Sequence, residues 1–394
     1  MSDPAAAPTT YFVDRPADIA GALGRLQAGV VGMDVERADS ARYFRRAALV
    51  QVGAGESCVL LDAVRLDHLA ALDVFLADRD VVLHALENDL EPLAVLGVEP
   101  LRVDDTAVAA SVLGLPTGLG PLLTEVLGVE LTDDKQRFQR ADWEERPLPD
   151  DMAAYAAGDV VHLPRLWDAL RERLEETGRT GWYEQELDAA IERSFDDRRD
   201  WTRVKGTARL SPDQRAVLRE VWEERERLAR EHDVAPNRLL HDDVLRDLSL
   251  DPPGTEQELV RRSPRRRRQL RAYAPDLLAA VERGTEAPPE PREASGHRWE
   301  PIHRDTYDAL RRRRAEIAEE LGIEAGVLCP SRPLWRAVAG EPVDADELCA
   351  LAGMRPWQAE LLAEPLWEVF QQVRIVGGAN AEAADDDDGR ATGA

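Results

Sequence analysis

From about residue 208 onward the chain carries helical patterns and no strand patterns, whereas everything before it mixes the two. That change of period forbids one continuous architecture. Strands alternating with helices bury their faces in a layered α/β domain, while a helix-only stretch must bury its apolar stripes against other helices.

Residues 11–65 read as strands. GVVGMDVE (29–36) is a short, alternating apolar run, and AALVQVG (47–53) and SCVLLDA (57–63) flank the turn Ala54-Gly55-Glu56 as hairpin arms. LDHLAALDVFLA (66–77) is helical, DVVLH (80–84) is a buried strand, and ENDLEPLAVLG (87–97) is a helix stopped by glycine. A short strand near Leu101–Val103 precedes an apolar helix over Thr106–Leu113, and helical patterns run through Tyr155–Glu176. A three-strand meander followed by alternating strands and helices predicts an α/β domain with a mixed sheet over residues 8–200. Two all-α modules follow, 208–284 (ending at Gly284) and 300–376, each opening on a long charged helix, as a divergent duplication would. The segment between them, 285–299, has the proline and glycine content of a linker, and 377–394 reads as a disordered acidic tail.

The length of 394 residues suits two or three domains at ~150 residues each. No run of ~18 apolar residues occurs, so no membrane helix is expected. The opening MSDPAAAPTTYFVDRP has acids and prolines where a signal peptide needs a basic and then an apolar stretch. Cys58, Cys329 and Cys349 are far apart, which excludes a disulfide framework and a cysteine zinc site. A reducing, cytoplasmic setting fits these features.

Net charge is −26, which taken alone argues against a nucleic-acid binder. The distribution is uneven: residues 1–200 hold 39 acids and 20 bases, residues 201–394 hold 37 and 30. Arg261–Arg271 (RRSPRRRRQLR) contains seven arginines and no acid, and Arg311–Arg314 forms a second run.

Asp34 and Glu36 are separated by one residue on an expected strand and so point to the same face. Two such carboxylates repel unless a cation neutralises them, although Asp-x-Glu also occurs by chance at strand ends. Asp89 follows DVVLH, where an acid commonly serves a helix dipole. Tyr155 and Asp159, four apart in YAAGD, share a helix face across the small Ala156, Ala157 and Gly158. Each has a bland alternative: a strand-end pair, a helix-dipole partner, a core tyrosine with a surface aspartate. Together, four acids and a tyrosine on elements that can meet at one end of a sheet are the hard-oxygen set that two magnesium ions require.

The segments MDVERADSARYFRRAALVQV (33–52), LHALENDLEPL (83–93) with VDDTAVAA (103–110), and KQRFQRADWEERPLPDDMAAYAAGDVVHL (135–163) resemble the three exonuclease motifs of the DEDD superfamily, in its tyrosine-bearing subgroup. The third is similar to ribonuclease D in particular, and the two helical modules resemble its paired HRDC domains. The resemblance covers about residues 10–376. It implies a ribonuclease H-like catalytic domain and a 3′→5′ exoribonuclease that releases nucleoside 5′-monophosphates, trimming structured RNA such as transfer-RNA precursors. It further implies that Asp34, Glu36, Asp89 and Asp159 hold two Mg²⁺ or Mn²⁺ ions, Asp34 bridging, with Tyr155 orienting the attacking water. A tyrosine of ordinary pKa near ~10 is a poor base, so its task is position. His84 reads as structural. Two features depart from the usual pattern: valine between Asp34 and Glu36, and Arg37 beside the site, where it bears on how the terminal nucleotide seats. A DNA exonuclease of the same superfamily and a non-catalytic RNA-binding protein are the rival readings.

Phosphate attraction is expected from Lys135, Arg137 and Arg140 near the third motif, and from Arg265, Arg266, Arg267 and Arg268 in the first helical module. Arg311–Arg314, among glutamates, reads as a solvated helix face. Trp222, Trp335 and Trp367 sit in apolar helical patterns and read as core, and Trp143 as packing in the catalytic domain.

Overall fold

The computed structural model describes residues 8–26, 29–37, 41–44, 46–131, 135–138, 141–196, 199–262, 267–291 and 301–391. Six strands, β1 (Thr9–Val13), β2 (Val31–Arg37), β3 (Ala47–Ala54), β4 (Ser57–Leu61), β5 (Val81–Leu83) and β6 (Val103–Asp105), form one sheet in the order β1-β4-β3-β2-β5-β6. β2, β3 and β4 pair antiparallel, and β1, β5 and β6 add in parallel, giving the expected mixed sheet. β3 is buried at every position, so both sheet faces must be covered.

One face carries α1 (Pro16–Leu23), α2 (Ala70–Leu76) and α3 (Leu90–Val95). The other carries α4 (Thr106–Leu113), α5 (Leu119–Leu127), the short α6 (Lys135–Phe138), α7 (Asp150–Val161) and α8 (Leu163–Thr177). Helix α9 (Thr180–Ser194) serves both, with Ala190 in the first core and Tyr183 in the second. Several of these helices depart from the sequence reading. α1 interrupts the expected run of strands, nucleated by Pro16 in its first turn. α5 and α9 were not anticipated, and α9 in particular has too few apolar residues for its period to stand out.

The first helical module comprises α10 (Pro212–Glu231), α11 (Pro236–Leu239), α12 (Asp242–Leu250), α13 (Glu256–Arg262), α14 (Arg267–Ala272) and α15 (Ala274–Glu286). Ser211 and Gln214 start α10 with a reciprocal capping box. Gly284 does not end α15. It lies inside the helix, where a Cβ would sit 2.5 Å from Val217 Cα, so glycine there permits close packing on α10. The expected linker begins correspondingly later, and Glu290 is still held to α10 by Arg219 and by its amide on the Pro212 carbonyl.

The second module comprises α16 (Pro301–Leu321), α17 (Ala325–Leu328), α18 (Ser331–Ala339), α19 (Ala345–Leu351) and α20 (Pro356–Ala391). α20 continues through most of the segment expected to be a disordered tail, where alanines favour helix. Arg314 also departs from its expected solvated role. It is buried, and its guanidinium donates to the Cys329 carbonyl, while Arg311 and Arg312 are exposed. The cysteines are free and buried, and burial pushes the Cys58 thiol up to about 12. Trp143 is buried, Trp222, Trp335 and Trp367 are half-buried, and Trp367 stacks on Phe370.

Both modules dock on the α/β domain. The first grips the β2–β3 connection: Asp233 accepts the amides of Tyr43 and Phe44, Ala235 donates to the Ala41 carbonyl, and Tyr43 enters that module's core. The second seats on α9. Trp357 stacks on Trp182 at 4.6 Å, and Arg355, Trp357 Nε1 and Gln358 converge on the Glu186 carboxylate. Arg179 bridges the two parts, donating to the Val112 and Leu321 carbonyls.

Candidate active site

β2 runs at the centre of the sheet, so alternation on it sends Asp34 and Glu36 to one face. α7 crosses that face. Its approach is close because Gly32 on β2 and Gly53 on β3 are directly paired and present no side chains to it. A Cβ on Gly32 would lie 2.2 Å from the Val160 carbonyl oxygen, and one on Gly53 would lie 2.7 Å from Val160 Cγ2. Val160 follows Asp159, so this contact sets the height of Asp159 over the strand. Carboxylate oxygens of Asp34, Glu36 and Asp159 all come within 4.8 Å of one another.

Asp89 arrives from β5 through a short 3₁₀ turn, Leu86–Asn88, entered by Ala85 in the left-handed region at φ +65°. It stands outside that trio but lines the same cavity, of about 1180 Å³, together with Tyr155, Arg37 and His84. All five residues singled out from sequence thus meet at one cavity. The 116–124 segment at the start of α5 also lines it, a contribution the sequence reading did not contain.

The carboxylates crowd one another with little counter-charge. Burial raises the Asp34 carboxyl from 3.8 to about 6. Burial, and then the charges of Asp34 and Asp159, raise Glu36 from 4.5 to about 9, with Arg37 pulling the other way. Asp89 is raised well above the usual carboxylate range by burial and then by Asp34. Such a cluster of hard oxygen donors fits divalent cations, whose charge would reverse each of these shifts.

Tyr155 packs against Phe138 at 4.9 Å and Trp143 at 6.3 Å. Burial, and then the charges of Asp159 and Glu36, push its phenol upward, and the hydroxyl is hydrogen-bonded to Asp159. It therefore stays protonated and serves as a donor. Trp143 is fixed by its Nε1–H on the Phe138 carbonyl. The RPL stretch of the same segment is a staple: Arg146 donates to both oxygens of buried Asp62, at 2.9 and 2.7 Å, and to the Ala48 carbonyl at 2.9 Å. His84 Nδ1 lies 2.9 Å from Thr106 Oγ1, whose hydroxyl donates to the Leu83 carbonyl; that tie agrees with a structural role.

The expected phosphate-binding residues are spread out. Arg137 is exposed, paired with Asp151 at 2.6 Å and stacked over Phe138. Lys135 lies on α6 and Arg267 on α14, and Arg268 is exposed. Arg140, Arg265 and Arg266 lie outside the described residues. Arg271 has an acid nearby after all, Glu256 at 3.9 Å.

Comparison with known proteins agrees with this geometry. A family model described as 3′-5′ exonuclease matches residues 12–175, and the HRDC domain model matches 214–281 and 303–369. Ribonuclease D of Nitrobacter hamburgensis is 28% identical over 363 residues, covering 90% of this chain and 93% of that protein. Ribonuclease D of Pseudomonas paraeruginosa is 35% identical over 276 residues, covering 66% and 73%. The crystal structure of Escherichia coli RNase D, an exoribonuclease involved in structured RNA processing, superposes with a TM-score of 0.76 at 25% identity, covering 92% of this chain and 99% of that one.

Proposed function

The chain belongs to the ribonuclease D family and is a 3′–5′ exoribonuclease, and we propose that Asp34, Glu36, Asp89 and Asp159 are its metal ligands and Tyr155 its water-positioning residue. The observation that carries this assignment is the meeting of three carboxylates within 4.8 Å in a cavity that Asp89 and Tyr155 also line.

Two Mg²⁺ or Mn²⁺ ions, when bound, supply the lowered pKa of water and the neutralisation of phosphodiester charge that this hydrolysis needs. The protein supplies the rest. Asp34, coupled electrostatically to both Glu36 and Asp89, would hold the ions together with them. Tyr155, kept protonated, holds the attacking water in line by a hydrogen bond and takes no proton from it. Arg37, on the cavity wall, is placed to bear on how the terminal nucleotide seats. Hydrolysis at the last linkage releases a nucleoside 5′-monophosphate.

Transfer-RNA precursors and other structured 3′ ends are the substrates of this reading, and the cytoplasm its location. Lys135, Arg137, Arg140 and Arg265–Arg268 are its phosphate contacts. Arg137 supports it by standing exposed one residue from Phe138, which packs on Tyr155. Among the described residues, no helix is long and apolar enough to cross a membrane.

The test is degradation of 3′-labelled RNA beside a DNA strand of matched sequence, with Mg²⁺, with Mn²⁺ and with EDTA, for the parent and for Asp34→Asn. Metal-dependent release of labelled mononucleotide from RNA, abolished in the variant, supports the assignment. Undiminished release in EDTA overturns the metal site, and preference for DNA overturns the substrate.

A further inference from the structure

Asp89 is the one proposed ligand that sits on neither a strand nor a helix of more than two turns, so something else must fix it. The 3₁₀ turn before it is entered through a non-glycine left-handed residue, Ala85, a conformation that surrounding contacts have to impose. Those contacts come from two places. At the end of β6, the fully buried Asp105 turns one carboxylate oxygen to the first turn of α4, accepting from the Ala107 and Val108 amides at 2.7 and 2.9 Å. Its other oxygen reaches across to β5's exit and accepts from the Leu86 amide at 2.6 Å. The Leu86 carbonyl in turn accepts from the Asp89 amide at 3.0 Å, so the grip on Leu86 is a grip on Asp89 one turn later.

Helix α9 supplies the other half. Tyr183 Oη accepts from the Asp105 amide at 3.0 Å and donates to Asp104 Oδ1 at 2.8 Å, holding the β6 end that carries Asp105. Ten residues on along α9, Arg193 donates through Nε and Nη2 to Glu87 Oε1, at 3.0 and 2.8 Å, inside the 3₁₀ turn itself.

We infer that Asp105 and Tyr183 are positioning residues of the reaction, holding Asp89 at the metal site through the Leu86 amide. The inference rests on the assignment of Asp89 as a ligand. Ligand-orienting contacts of this kind are worth roughly 10-fold or more in metal affinity or rate when removed.

The test uses the full chain and Mn²⁺ as the probe, with titration calorimetry for binding and steady-state kinetics for kcat and KM on RNA. Asp105→Asn keeps size but replaces one acceptor oxygen by a donor. Tyr183→Phe removes only the hydroxyl and keeps the ring against Trp167, 5.1 Å away, so it stands in if the first variant fails to fold. Leu23→Ala, in the core under α1, controls for general loss of stability. The expected result is Mn²⁺ affinity and kcat both about 10-fold lower in Asp105→Asn, less so in Tyr183→Phe, with KM for RNA near the parent value and Leu23→Ala unchanged in Mn²⁺ affinity. Values within about twofold of the parent in both positioning variants overturn the inference if Asp89→Asn does lose Mn²⁺ affinity. If Asp89→Asn also binds Mn²⁺ like the parent, the ligand assignment itself fails and the inference with it.

Discussion

Gly32 and Gly53 face each other across β2 and β3, and the backbone of Val160 rests on the pair. The distance from Asp159 to Asp34 is therefore written into two residues that have no side chain and take no part in chemistry.

Gly32→Ala is expected to force α7 off the strand, because the added carbon meets a carbonyl oxygen rather than a movable side chain. The cost is about 1–3 kcal/mol in stability from overpacking. Activity falls by about 10²-fold, the scale of a roughly 1 Å misplacement. Gly53→Ala is milder, since its nearest neighbour is the Val160 Cγ2 methyl. Urea unfolding and RNA turnover on the two variants check this; parent-like stability and turnover in both would show that the pair does not set the helix height.

Metal-free stability should fall as pH rises. Folded Asp34 and Glu36 hold protons more tightly than the unfolded chain does, so the native state binds more protons and loses stability with increasing pH. Their contribution is complete below pH 3.8 and is lost as pH passes about 6 and then about 9. In EDTA at pH 8, Asp34→Asn should therefore be more stable than the parent by on the order of 1 kcal/mol, a discounted figure because the cavity admits water. The gap should narrow at pH 5 and reverse when Mn²⁺ stabilises only the parent. Thermal melts at both pH values decide it, and a less stable variant in EDTA at pH 8 would contradict the account.

Tyr155→Phe keeps the ring on Phe138 and Trp143 and loses the hydroxyl. A positioning role predicts kcat lower by about 10²-fold with Mn²⁺ affinity unchanged. The pH–rate profile should keep its shape, because the phenol is not the base. A lost basic limb in that profile would assign Tyr155 to proton transfer.

Arg355→Ala should loosen the second helical module. It leaves the Glu186 carboxylate with only Trp357 and Gln358 in a nearly buried site, a loss of about 1–3 kcal/mol. Limited proteolysis should then cut the module's connections sooner than in the parent; unchanged protection would mean the Trp182–Trp357 stack suffices.

Replacing Arg265–Arg268 by serine should flatten the salt dependence of RNA binding. Each phosphate released contributes about 0.7 to the slope on single-stranded RNA, so up to roughly 3 units are at stake. An unchanged slope removes these arginines from the RNA-binding surface.

That the four proposed ligands and Tyr155 meet at one cavity was legible because each lies in a short motif whose element type fixes its direction. The middle of the sheet was legible because β3, β4 and β5 are short, mostly apolar runs. What escaped is the machinery that aligns them. Nothing in the sequence around Asp105 marks it as a tie to Leu86, since that bond crosses from one strand end to another. Gly32 and Gly53 were visible as glycines inside strands, a recognised sign of close backbone approach, but only the register pairs them. α9 was hidden because its buried positions, Tyr183, Glu186, Ala190 and Ser194, are not a conventional apolar stripe.

Helix α9 also fixes where the catalytic unit can be cut. A fragment ending near residue 176 would contain every proposed ligand and Tyr155 yet lack Tyr183 and Arg193, the outer braces of the turn before Asp89. A fragment ending past Ser194 would keep the braces but bare Trp182 and Glu186 to water where the second module now sits. The shortest self-sufficient nuclease is therefore longer than its motifs, and it would carry a sticky flank as the mark of the missing module.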